Sequence, residues 1–185
     1  MNNLSRRGFM ATGAVALAGC ATNNGSITGT GPQIDGHVQD ALTEMYSTFP
    51  GSRAFAERAA GILVIPNVTK AGLFLAGSYG EGALMIGGAT VEYYSYASAS
   101  FGVQVGAQQS RQVLFFMTTD VLRSFRTSDG FELGVDAEYA VQDEGASIGL
   151  SSTTSNKPIL GIVFGQRGLI AGASLEGAKY SRLIR

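Results

Sequence analysis

Apolar positions follow two different periods along this chain. Val38, Leu42, Met45 and Phe49 recur at three- and four-residue spacing, which places them on one side of a helix and predicts an amphipathic helix over 35–48, with Asp35 capping its first turn. Pro50-Gly51 ends it. Ser52 is placed to cap a second short helix to about Ala60, with Phe55 and Ala59 inward and Arg53 and Glu57 outward.

From Gly61 the pattern turns to short β runs at 62–66, 72–80 and 83–88, with Gly80-Glu81-Gly82 read as a turn between strands. Phe101, Val103 and Val105 alternate with Gly102, Gln104 and Gly106, and Val113 to Met117 is apolar on both faces, as a central strand would be. Thr118 or Thr119 can cap a short helix carrying Val121, Leu122 and Phe125, after which Ser128-Asp129-Gly130 turns the chain. Over 131–141, Phe131, Leu133, Val135, Ala137, Tyr139 and Val141 share one face while Glu132, Asp136 and Glu138 share the other, the pattern of a half-buried strand. Runs at 146–151, 159–164 and 168–176 complete a meander. No segment alternates strands with long helices. The fold class expected is therefore α+β: two N-terminal helices, then a mainly antiparallel sheet of eight to nine strands with one short inserted helix. A sheet of that size curls into a barrel-like or two-layer form, and the 26 glycines of the 185 residues permit its bends.

The first twenty residues follow neither period. Arg6 and Arg7 precede a short apolar run over 9–19 that is too short to span a bilayer and ends in Leu17-Ala18-Gly19-Cys20. The arginine pair resembles a twin-arginine export signal, and the run ending at Cys20 resembles a lipobox, in which the cysteine takes a diacylglycerol and further acyl chains such as palmitate. An ordinary secretory signal with a chance cysteine is the alternative. The organisation expected is a signal segment over 1–19, an acylated Cys20 with a flexible tether over 20–33, and a domain over 34–185. By resemblance to lipoproteins of two-membrane bacteria, in which an Asp after the cysteine would favour inner-membrane retention, Ala21 implies a periplasm-facing protein of the outer membrane.

Composition narrows the chemistry. Lys and Arg number 13 against 14 Asp and Glu, a net charge of −1, which lacks the concentrated basic face that nucleic acid requires. Cys20 is the sole cysteine and His37 the sole histidine, so Ser-His-Asp, Cys-His and multi-histidine arrangements cannot be built with His37 at the start of the first helix. Asp136 and Glu138 could be paired carboxylates, although a solvated sheet face explains them more simply. The glycines at 80, 82, 87 and 88 do not form a phosphate-loop motif. The expectation is a protein that is not an enzyme and needs no cofactor or metal. Tyr93, Tyr94, Tyr96 and Phe101 concentrate aromatics that either sit at a lipid headgroup layer or belong to a loop packed on the core. Arg53, Arg58 and Lys70 either form a patch for anionic headgroups or are solvated surface charges.

Five segments carry a family resemblance: AAGILVIPNVTKAG at 59–72, GSYGEGAL at 77–84, YYSYASASFGVQVGAQ at 93–108, FRTSDGFELGVDAEYAV at 125–141 and GLIAGASLEGAKYSRL at 168–183. From Ala59 to Arg182 the chain resembles the SYLF domain, and more closely its bacterial lipoprotein branch. The resemblance implies a non-enzymatic lipid-binding domain, whose eukaryotic members occur on endocytic and actin-associated proteins and bind phosphoinositides. In a bacterial envelope it implies membrane phospholipid, including anionic phospholipid, as partner.

Overall fold

The computed structural model describes residues 29–134, 136, 139–143, 157–168, 175 and 177–185. Helix α1 spans Gly31–Thr48 and α2 spans Ser52–Arg58. The first helix begins four residues earlier than its periodicity predicts, inside the segment assigned to the tether. Thr30 is its N-cap, and the Gln33 side chain reaches back to accept the Thr30 N–H at 3.0 Å. Asp35 is thus not the cap. Its carboxylate instead accepts the hydroxyls of Thr90 at 2.8 Å and Tyr93 at 2.9 Å, joining α1 to the sheet. Ser52 is likewise no cap: Gly51 takes that position, and the buried Ser52 hydroxyl donates to the Phe49 carbonyl.

Two very long strands, β1 (Gly61–Ile86) and β2 (Ala89–Phe116), form one antiparallel hairpin around Gly87-Gly88. Both turn glycines have positive φ, 60° and 84°, as a two-residue turn that follows the twist of its strands requires. The hairpin absorbs the separate strands expected over 62–88 and the segment 89–105, and six strands form the sheet among the described residues. Register shifts at Ile65/Val68, Leu73/Leu75 and Leu84/Met85 bend it. Pro66, which has no N–H to donate, sits in the first of these shifts.

Gly80-Glu81-Gly82 is therefore not a turn. It lies within β1 where the strand curls back over its own earlier half: a Cβ on Gly82 would collide with the Val64 carbonyl, and one on Gly80 with that of Asn67. The glycines there make room for another backbone.

Helix α3 (Thr119–Thr127) follows β2, with Thr118 as N-cap accepting the Val121 N–H. The alternating run 131–141 splits. Only Phe131–Glu132 forms β3, against β6 (Lys179–Leu183), and Tyr139–Asp143 forms β4, which pairs in parallel with β5 (Ile159–Gly168). Between them Asp136 closes a turn, its carboxylate accepting the Glu132 N–H at 2.6 Å, so it stands in a turn and not on a strand face, and Glu138 lies outside the described residues. The sheet order is β3-β6-β2-β5-β4, with β1 along the other side of β2. It is a curled, mainly antiparallel sheet with three helices, the α+β architecture read from the sequence. The runs expected at 146–151 and, apart from Gly168 and Leu175, at 168–176 lie outside the described residues, as do Arg6, Arg7 and Cys20.

Two apolar clusters share the sheet. Val113 and Phe115 face α1 and α2 together with Val38, Met45 and Phe55, while Leu114 and Phe116 face the inside of the curl. The run 113–117 is thus a central strand covered on both faces. Inside the curl, Phe125 of α3 is the hub of an aromatic cluster, with ring centroids 4.5 Å from Tyr94, 4.7 Å from Phe116 and 5.2 Å from Phe131. Helix α3 thereby closes one side of the curled sheet. Among the described residues no helix is long and apolar enough to cross a membrane.

Candidate functional site

The aromatics singled out in the sequence separate by strand parity. Tyr94 and Tyr96 are 2% and 3% exposed, packed on Phe125 and Tyr180, and their burial fits the core and not a headgroup layer. Burial raises the pKa of both hydroxyls. Tyr93 points to the opposite face, half-buried against α1, and donates to Asp35. Phe101 lies on β2 paired with Leu75. Arg53 and Arg58 are exposed on α2, the Arg53 guanidinium 4.5 Å above the Tyr46 ring. Lys70 stands on β1, nine residues beyond Gly61, on a different element from the two arginines.

A different basic site is assembled instead. A cleft of about 410 Å³ opens between α3 and the β2–β6 pair, lined by Glu92, Thr119, Leu122, Arg123, Arg126, Thr127 and Arg182. The five α3 residues follow three- and four-residue spacing and so share one face of that helix. Arg182 pairs with Tyr94 across β2–β6, two positions from Glu92, which brings it to the same face.

At the centre lies Glu92, whose side chain is 15% exposed. Its two oxygens take a fork from Arg126, Nε to Oε2 at 3.1 Å and Nη2 to Oε1 at 3.0 Å. Tyr94 donates to Oε2 at 2.8 Å, and an Arg182 guanidinium nitrogen lies 3.6 Å from Oε1. The Arg126 hydrogen bonds outweigh burial and hold the Glu92 carboxyl below the usual glutamate range. The same bonds raise the Arg126 pKa. The side chains of Arg182 and Arg123 remain 60% and 74% exposed, and Arg123 pairs with its helix neighbour Asp120 at 3.5 Å. Two guanidinium groups, those of Arg126 and Arg182, thus flank one half-buried carboxylate, and Arg123 lines the same cleft beside Asp120. Such a cleft can take an anion, and Arg forks suit planar or tetrahedral oxyanions.

Sequence reasoning missed these arginines. Their spacing on α3 was visible, but Arg182 and Glu92 join them only through the β2–β6 pairing.

A second polar node secures the domain's ends. Glu81, its side chain 4% exposed, accepts from Arg185 at 2.7 Å, the Tyr79 hydroxyl at 2.8 Å and the Gly29 N–H at 3.1 Å. Burial alone would raise its pKa, but these bonds together lower it. Every oxygen there is committed, so the node reads as a structural clamp between the entry to α1 and the segment after β6. His37 is exposed on α1, and no three His, Cys, Asp or Glu side chains gather as a metal site among the described residues.

Comparison with protein families finds a match over residues 97–182 to the family described as Ysc84, Las17-binding protein actin regulator. Comparison with curated proteins finds no match. The matched span runs from the middle of β2 through α3 to Arg182, so it contains all three arginines of the cleft, while Glu92 lies just outside it. Residues 97–182, which include the inserted helix, are thus similar to the SYLF-domain family that this model describes.

Proposed function

We propose that this chain is a non-catalytic lipoprotein of the bacterial envelope whose SYLF domain binds anionic phospholipid through the arginine cleft of α3 and β6. The observation that carries this reading is the cleft itself, where the exposed guanidinium groups of Arg123 and Arg182 flank a centre already neutralised by Glu92. Phosphate oxygens of a lipid headgroup meet the solvent-facing sides of these two guanidinium groups, beside the Asp120 and Glu92 carboxylates they already touch. Cys20, acylated after export under the Arg6-Arg7 signal, anchors the chain to the periplasmic side of the outer membrane. Two or three acyl chains anchor stably without a protein helix, and the cleft then acts on lipid at the surface to which it is tethered. Arg53, Arg58 and Lys70 contribute at most a diffuse attraction.

Flotation of residues 21–185, free of any acyl chain, on neutral and anionic phospholipid vesicles tests this. The expected result is flotation on anionic vesicles, weakened as salt shortens the reach of surface charge, and reduced about fivefold or more when Arg123 and Arg182 become Ala, the loss of two charge-assisted contacts. Replacing Arg53, Arg58 and Lys70 with Ala lowers it less. Absence of flotation on every composition would leave membrane contact to the anchor alone and make the domain a protein-interaction module of the envelope.

A further inference from the structure

Among the described residues two large apolar side chains stand exposed, Val91 at 43% and Ile184 at 97%. Tyr93 pairs with Leu183 in an antiparallel register, so Val91, before the one, and Ile184, after the other, lie toward the same end of the sheet. The β1–β2 turn closes that end, with Gly87, Gly88 and Ala89 exposed, and from Gly82 to Val91 the chain carries no charged side chain. The geometry points to a membrane-entering edge: the hairpin turn and Ile184 pass into the apolar layer of a bilayer and set the arginine cleft at headgroup depth. This rests on the domain meeting lipid, as proposed above.

Neighbouring contacts hold Ile184 in its exposed position. Arg182 lies 3.6 Å from Glu92 on the cleft side, and Arg185 donates at 2.7 Å to Glu81, which also takes the Gly29 N–H at the entry to α1. The backbone between them is pinned, and the Ile184 side chain stays in water although its burial would be favourable. The cleft begins directly behind this edge. Glu92 follows Val91, and Leu122 of the cleft lies at the base of the turn, where a Cβ on Gly61 would stand 3.0 Å from its side chain and 3.4 Å from the Met85 carbonyl.

An uncharged turn and an isoleucine in front, with guanidinium groups behind, follow the order in which a bilayer passes from hydrocarbon to headgroup. The arginines keep their partners in this arrangement. Arg123, Arg126 and Arg182 against Asp120 and Glu92 leave the region positive by one charge, a modest attraction that apolar contact supplements. A protein partner suits the edge less, because a stable protein interface takes about 800 Å² from each side. A narrow turn with two large apolar side chains offers far less area, whereas a fluid bilayer accepts a convex edge without a matching pocket.

The chain contains no tryptophan, so a single introduced one reports on its own position. Three full-chain variants, each with Cys20→Ser to exclude acylation, test the edge: Ala89→Trp, Ile184→Trp and Thr48→Trp. Thr48 ends α1, about 20 Å along the helix from Asp35, which bonds Thr90 beside the turn. The probe is vesicles of equal parts phosphatidylglycerol and phosphatidylcholine, with or without bromine on the upper acyl chain. Emission from Ala89→Trp and Ile184→Trp should move to shorter wavelength and be quenched by the bromine, while Thr48→Trp stays unchanged. In the protein without tryptophan, Ile184→Ser should weaken vesicle binding about fivefold to tenfold at low and moderate salt alike, since burial of apolar area is not screened. An unchanged affinity overturns the inference without recourse to the tryptophans. So does quenching at Thr48→Trp equal to that at the edge, or a shift at the edge without quenching, which would mean that protein covers it. Either edge site unquenched, with binding still lost in Arg123→Ala and Arg182→Ala, removes the insertion and leaves the cleft as the lipid site. Quenching at both edge sites with binding indifferent to those arginines upholds the edge and removes the cleft from the function above. Absence of vesicle binding overturns both.

Discussion

Gly82 lies against the main-chain carbonyl of Val64, a residue of the same strand, because β1 curls until its second half crosses its first. No side chain fits between them. Gly82→Ala is expected to destabilise the domain by about 3 kcal/mol or more, since the obstacle is backbone and the strain cannot be relieved by a rotamer change. Gly77→Ala in the same strand, where a Cβ meets nothing within 4 Å, should change stability by no more than about 0.5 kcal/mol. Urea unfolding of the two variants checks both values, and equal effects would mean that the crossing is not tight.

Phe125 joins α3 to the inside of the curl through Tyr94, Phe116, Phe131 and Tyr180. Phe125→Ala should cost about 3–5 kcal/mol, the range for truncating a fully buried aromatic. It also releases the helix that carries Arg123 and Arg126, so anion binding should weaken along with stability. Hydrogen exchange should show α3 opening before β2. Uniform exchange across both elements would argue against that coupling.

Glu92 and Glu81 both have carboxyl groups held below the ordinary glutamate range, Glu92 chiefly by Arg126 and Glu81 by Arg185, Tyr79 and Gly29 against the opposing effect of burial. The unfolded chain takes up these protons at higher pH than the folded one. Their contribution to stability is therefore complete above about pH 5 and is lost as pH falls through the ordinary glutamate value of about 4.3 toward the lower folded values. Denaturation midpoints measured from neutral pH down to about pH 3 should fall along this limb. Glu92→Gln should flatten part of that fall. An acid limb of unchanged slope in the variant would show that Glu92 does not titrate as its partners require.

The sequence alone carried the parts of this protein that depend on local spacing. The three- and four-residue period around Val38, Leu42 and Met45 marked the first helix, the apolar run Val113–Phe116 marked a strand covered on both faces, and Val121, Leu122 and Phe125 marked the inserted helix. Each follows from which residues must leave water within one element, and neighbours in sequence decide that. Tertiary structure decided whatever depends on distant partners. Gly80 and Gly82 carry the glycine signal of a turn, and only the passage of the Val64–Asn67 backbone beside them shows that they serve a crossing instead. Asp35 has the composition of a cap, yet the hydroxyls of Thr90 and Tyr93 take its carboxylate. The alternation of 131–141 specifies a strand face but not its partner, and pairing with β6 and then with β5 divides it. The arginine cleft belongs to the same class. Arg123 and Arg126 are neighbours on a helix, but Arg182 and Glu92 reach them only through strand pairing, and charge becomes a site only where the fold brings separate charges to one cleft.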